Sequence, residues 1–294
     1  MQLSGLPSEN ILKIAESLSP KDLNSLLRGS RSMANLLLPS LHALAIQDKD
    51  GLPALIWATK TGHEPLAALL LSKGASPNCR DPTGMTPLCW SAWTGRADLT
   101  KLLLSHGAQI NTPDDQFRMT PLIWAANMEH PSSCDLLVSA GADLSASDHR
   151  GETILHWAAK RGFCRLVRQL IEEAGMSVDT RENYGNTPLH CAVFFGQEDT
   201  ARLLLRAGAN PNARNSVGMT ALHWAAGHRD GFAGIICCLL EYSADPEIPD
   251  GSGRKAVYRA RMYENVSSVM LLQEGHGNRG GNRQCSQSLG IYPC

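Results

Sequence analysis

The sequence predicts an all-α solenoid of about seven helix–turn–helix repeats joined by β-hairpin loops, preceded by a small three-helix unit. Three observations carry this. Thr-Pro-Leu, or a near copy, recurs every 33 to 34 residues, with its Leu at Leu55, Leu88, Leu122, Leu155, Leu189 and Leu222 and a degenerate copy at Val257. An acidic or amide residue stands seven before that position and a Gly four before it in nearly every copy. Two short apolar patterns follow, each closed by a Gly. A fixed period in this range marks stacked identical units that cannot bury their apolar faces alone. Such arrays usually bind other proteins and rarely perform chemistry.

Residues 1–46 come first and lie off this period. Leu6-Pro7-Ser8-Glu9 opens a helical pattern with Ile11, Ile14, Ala15 and Leu18 on one side. Ser19 or Pro20 punctuates it. Leu23, Leu26 and Leu27 follow, then Met33, Leu36, Leu37 and Leu38, then Pro39 and an apolar stretch to Ile46. A unit this small has little core and generally needs a partner to be stable.

Each repeat from about Asp48 to Gly275 then reads alike. Asp48, Asp81, Asp115, Asp148, Glu182, Asn215 and Asp250 open a turn that Gly51, Gly84, Gly151, Gly185, Gly218 and Gly253 complete, with Arg118 as the exception. Asp bonds its own backbone there and Gly tolerates positive φ. Thr caps the next helix, and Pro takes its first position, where the missing N–H costs nothing. That helix ends at Gly62, Gly95, Gly162, Gly196 or Gly231, and the second at Gly74, Gly107, Gly141, Gly175 or Gly208.

These residues resemble the ankyrin repeat family. Gly151-Glu152-Thr153-Ile154-Leu155-His156-Trp157-Ala158-Ala159, Thr187-Pro188-Leu189-His190 and Arg206-Ala207-Gly208-Ala209-Asn210 follow its motif. Departures are local: Glu129 replaces a helix-ending Gly, two residues are added near His228-Arg229, and Lys255-Ala256-Val257-Tyr258 replaces Thr-Pro-Leu-His. Boundaries follow at about 48–80, 81–114, 115–147, 148–181, 182–214, 215–249 and 250–275. Residues 276–294, rich in Gly, Asn, Gln, Ser and Arg, read as a disordered tail.

Residues 3–46 resemble an F-box, through Leu6 to Ala15, Leu18, Asp22-Leu23 and Ser30-Arg31. That resemblance implies docking to a Skp-type adaptor of a cullin ubiquitin ligase, with Leu6, Pro7, Ile11, Ile14 and Leu18 on the adaptor-facing side. The repeat array would then hold an unknown target protein. The alternative is a plain scaffold whose first helices only cap the array.

A net charge of −1 gives no indication of nucleic acid or a charged membrane surface as partner. No apolar run is long enough to span a bilayer. The N-terminus lacks the basic and apolar regions of a signal peptide, so the expectation is an intracellular protein, cytoplasmic or nuclear, monomeric by itself. Nine cysteines without a CxxC pair read as free thiols in a reducing compartment.

No constellation for chemistry emerges, and neither a catalytic residue, a cofactor nor a metal is expected. His156, His190 and His223 recur at repeat spacing, about 10 Å apart as packed helices are. They cannot share a zinc with ligand distances near 2 Å, so they read as side chains bonding turn backbone. Cys89, Ile56 and Ile123 occupy the same slot. Trp57, Trp90, Trp124, Trp157 and Trp224 follow it and read as inter-repeat packing inside the apolar helix face. Asn78, Asn111 and Asn212 read as caps of their own turns.

Positions that the repeat does not need are the hairpin tips, the residue after the hairpin Gly, and the exposed end of the first helix. The family resemblance makes these the ligand-holding groove. It would comprise Trp93, Phe117, Met119, Met128, Tyr184, Phe194, Phe195 and Met219, with Arg150, Lys160 and Arg161 among the charged neighbours. Exposed aromatic and Met side chains ringed by Arg and Lys have the composition of a protein-binding surface.

Overall fold

The computed structural model describes residues 54–72, 74–228 and 232–274. The expected adaptor-facing residues Leu6, Pro7, Ile11, Ile14 and Leu18, and the expected tail, lie outside them. The chain divides into two units, one ending at Asp143 and the other beginning at Leu144.

In the first unit the described helices are α1 (Ala54–Thr61), α2 (Glu64–Ser72), α3 (Pro87–Trp93), α4 (Ala97–Ser105), α5 (Pro121–Asn127) and α6 (Pro131–Ser139). In the second they are α7 (Ile154–Arg161), α8 (Cys164–Arg168), α9 (Pro188–Phe194), α10 (Glu198–Arg206), α11 (Ala221–Ala226), α12 (Ala233–Glu241), α13 (Ala256–Met262) and α14 (Val266–Glu274). A turn of π-helix, Gln169–Glu173, continues α8. Successive helices pair as antiparallel hairpins, and like helices of neighbouring repeats pack side by side within each unit.

Local chemistry starts each repeat. The Thr86 hydroxyl accepts from the Cys89 N–H at 3.2 Å, and the Thr120 hydroxyl from the Ile123 N–H at 3.4 Å. Such a cap satisfies a donor that the first helical turn leaves open. The recurring Leu then enters the core: Leu88, Leu155 and Leu189 are 0% exposed. Burying a Leu contributes on the order of 2 kcal/mol, so the periodic Leu is the axis on which repeats stack.

The hairpins are tighter than expected. In the second repeat the Asp81 N–H bonds the Met85 carbonyl at 3.1 Å and Gly84 N–H bonds Asp81 at 2.9 Å, which completes the loop. One isolated bridge, Ser147 with Thr153, is the only ladder pairing among the described residues. Four-residue loops are too short for the β-strands that the sequence suggested. Instead, described tips within each unit bond to one another. Asp115 N–H donates to Thr83, Asn183 to Arg150, Ser216 to Tyr184 and Gly251 to Val217, at 2.8 to 3.0 Å. Gly218, at φ 76°, shows what this closeness demands: a Cβ there would lie 2.6 Å from the Gly251 nitrogen.

The third hairpin corrects the register. Its buried acid is Asp114, 2% exposed, and not Asp115. The Asp114 carboxylate accepts from the N–H groups of Gln116, Phe117 and Met119. Asp115 instead points outward to Arg80 at 2.8 Å. The loop holds one more residue than its neighbours, and Arg118 adopts φ 56° where they have Gly.

Candidate protein-binding surface

The side chains that recur at repeat spacing are tied to one another. His156 Nδ1 accepts from the Thr153 N–H at 3.2 Å, while its Nε2 donates to the Asn186 carbonyl of the next repeat at 3.2 Å. His190 and His223 repeat this arrangement with Thr187 and Met219, and with Thr220 and Arg254. Burial lowers the His156 and His190 pKa to about 4, so both rings are neutral at physiological pH. Cys89 makes the same outward link, its Sγ 3.5 Å from the Thr112 carbonyl. Among the described residues no group of His, Cys, Asp or Glu is arranged to hold a metal ion. Burial pushes the Cys134 and Cys191 thiols up to about 12, which leaves them protonated and unreactive.

Two sequence readings need correction here. The Trp column does more than pack between repeats. Trp90 Nε1 donates to Asp81 at 2.8 Å, Trp124 to Asp114 at 3.1 Å and Trp157 to Asp148 at 3.2 Å, so each indole ties its helix to its own hairpin. The Asn residues act across repeats rather than on their own turns. Asn78 accepts from Gln109 N–H, Asn111 from Asp143 N–H and Asn212 from Asp245 N–H.

The expected groove residues divide into two kinds. In the first unit Trp93 is half-buried between two other indoles, with ring centroids 4.9 Å from Trp90 and 5.0 Å from Trp124. Phe117 meets Trp124 edge-on at 5.9 Å. Met119, 5% exposed, belongs to the core, and so does Met219 in the second unit at 6%. The residue after the hairpin Gly turns inward in those repeats, which removes both Met side chains from an exposed surface. Met128 closes α5 and is exposed.

In the second unit Tyr184, Phe194 and Phe195 are 66%, 49% and 50% exposed. Phe194 sets its edge against Phe195 at 5.1 Å and against Trp224 at 5.0 Å. Packing on the next repeat therefore coexists with a free face. Lys160 is not a free cation. It forms an ion pair with buried Glu152 and sits 4.3 Å above the Trp157 ring and 5.8 Å from the Phe195 ring centroid. Arg161 is half-buried beside it, and Arg150 is exposed at its hairpin tip.

The sequence reading passed over Val217, which is 59% exposed. It stands five before Leu222, the place that Tyr184 and Arg150 hold before Leu189 and Leu155. The period itself could have found it. Arg181 and Arg214 were missed as well. Each bonds a carbonyl of its own hairpin, and Arg181 also reaches the Arg214 carbonyl at 2.7 Å.

Paired helices on a period near 33 residues, linked hairpin tips and the Thr–His bridges to the next repeat together define the repeat. Ankyrin repeats (three copies) match residues 24–114, 77–148 and 122–215, and ankyrin repeats (many copies) match residues 195–240. The chain belongs to the ankyrin-repeat family. Among relatives, human transient receptor potential cation channel subfamily A member 1 is 32% identical over 47% of this chain and 12% of its own length. The rat nuclear factor NF-kappa-B p105 subunit is 34% identical over 42% of this chain and 14% of its own length. The chain thus spans a small part of these relatives. The solved ankyrin repeat domain of Bcl-3, of the IkappaB protein family, superimposes with a TM-score of 0.62 at 26% identity, over 76% of this chain and all of that one. The ankyrin fold makes this chain a protein–protein interaction module. No described helix is long and apolar enough to cross a membrane.

Proposed function

We propose that this chain is a non-catalytic recognition subunit. Its ankyrin surface holds a target protein, and residues 1–46 dock a Skp-type adaptor of a cullin ubiquitin ligase. The observation that carries target binding is the exposed apolar group Tyr184, Phe194 and Phe195 on a framework whose periodic His, Trp and Asp side chains are bonded inward. Exposed aromatic residues held rigidly are the usual anchors of protein interfaces. Adaptor docking rests on the F-box-like pattern of Leu6, Pro7, Ile11, Ile14 and Leu18. In this role the chain raises the local concentration of a target near a ligase bound elsewhere, inside the cytoplasm or nucleus.

Co-purification tests the docking role. The intact chain should recover the Skp-type adaptor, and Ile11→Asp or Ile14→Asp should abolish recovery. An intact chain that recovers no adaptor contradicts it.

A specific observation favours a second reading, the plain ankyrin scaffold. The family match begins at residue 24, inside the F-box-like segment. On that reading residues 1–46 cover the apolar side of the first repeat. Their deletion then produces aggregation or a large loss of stability, whereas a docking module leaves a stable array that no longer binds adaptor.

A further inference from the structure

The geometry points to an extended acidic segment of a partner protein as the occupant of the hairpin edge in the second unit. Its apolar side chains lie on Tyr184, Val217 and the Phe194–Phe195 pair, and its carboxylates face Arg150, Arg181 and Arg214. This rests on the target-binding reading above and adds the chemistry of the partner.

Charge asymmetry is the first argument. The hairpin carboxylates Asp148, Glu152, Glu182 and Asp250 are 4%, 5%, 6% and 5% exposed. Each has an internal partner: Asp148 the Trp157 indole, Glu152 the Lys160 ammonium, Glu182 the Asn186 amide, and Asp250 the Arg254 guanidinium. Arg150, Arg181 and Arg214 are exposed. The last two bond neutral carbonyls, which orient a guanidinium without cancelling its charge. A ligand approaching this edge therefore meets cations, while the acids beneath are taken up. Complementary potential then selects an acidic partner.

Rigidity is the second. The tip carbonyls of Arg150, Tyr184 and Val217 each accept from the next hairpin at 2.8 to 2.9 Å. The backbone that carries these three residues is thus already ordered, which reduces the cost of binding. Beside Val217 an open cleft of about 630 Å³, lined also by Arg214 and Ser252, has room for a side chain. A row of three positions about 10 Å apart spans about 20 Å and suits an extended strand of roughly six residues. The aromatic geometry favours peptide over nucleic acid. Phe194 and Phe195 meet at 76°, and Phe194 meets Trp224 at 89°, so they offer no parallel platform for successive bases.

The test pans a phage-displayed library of random peptides of about 12 residues, long enough to cover that span in more than one register, on the intact chain. Arg150→Glu and Phe194→Ala/Phe195→Ala variants with wild-type circular dichroism are panned in parallel. The expected binders are rich in Asp and Glu with aromatic or aliphatic residues. They lose about tenfold or more in affinity on Arg150→Glu, as charge complementarity requires, and weaken with added salt. Neutral or basic binders that are still lost on Phe194→Ala/Phe195→Ala overturn this inference and leave the target-binding reading standing. Binders indifferent to both variants, or no binders, overturn both. An oligothymidylate of matching length that binds more tightly than the acidic peptides and is weakened by Arg150→Glu also overturns it.

Discussion

The indole of Trp93 lies face to face with that of Trp124 in the next repeat, ring centroids 5.0 Å apart and planes 4° from parallel. Trp90 stacks on its other side, and the Lys60 ammonium sits 4.7 Å above Trp90. Trp93 thus joins two repeats. The expected outcome of Trp93→Ala is a loss of about 2 kcal/mol of stability, as for a large, partly buried aromatic side chain. Urea unfolding followed by far-UV circular dichroism measures it, and the near-UV signal of the three indoles should collapse in the native baseline.

Stability should fall with acid in a defined window. His156 and His190 titrate near 4 in the folded chain because burial disfavours the charged ring. In the unfolded chain they titrate near 6.5. Between these values the unfolded state binds more protons, so stability is full above about pH 6.5 and declines as pH falls toward 4. Each ring contributes up to about 3 kcal/mol across that window. Urea midpoints from pH 7.5 down to 4.5 check this, and His190→Gln should be less stable at pH 7.5 yet show a shallower decline.

Glu152 and Lys160 form a buried ion pair, with side chains 7% and 11% exposed. Removing one charge strands the other. Glu152→Ala should therefore cost about 3 kcal/mol. Glu152→Ala with Lys160→Met should recover much of that loss, because no unpaired charge remains. A double-mutant cycle by urea unfolding reads the coupling.

Arg118 holds a left-handed backbone at φ 56° in the position that other hairpins give to Gly. Arg118→Gly should raise stability by about 1 kcal/mol, relieving the contact between Cβ and carbonyl. Thermal unfolding would show a midpoint higher by a few degrees.

Much of the repeat was legible because its requirements are local and periodic. A Leu that must stack, a Gly that must turn and a Thr that must cap each leave a fixed residue type at a fixed place. Features that depend on the neighbouring repeat were harder to read. Asn78 looks like a turn residue until Gln109 is seen to donate to it. Asp115 has the right spacing, but one extra residue hands its role to Asp114. Met119 and Met219 sit beside exposed positions and still turn inward, as Met85 and Glu152 do in the same slot three before the recurring Leu. Val217 and Tyr184 hold the same slot and are both exposed, but Val is a residue type usually found in cores, so its type gives no sign of exposure.

The most direct test of target recognition is proximity labelling in cells with the intact chain, compared with Tyr184→Ala/Phe194→Ala/Phe195→Ala. The two proteins should show equal circular dichroism at the labelling temperature, and the variant's thermal midpoint should fall by only a few degrees, because Phe194 gives up its edge contact with Trp224. A distinct subset of labelled proteins should fall about tenfold with the variant, the loss expected when aromatic anchors are removed, while adaptor labelling is unchanged. An identical labelled set from both proteins would contradict target recognition by these residues.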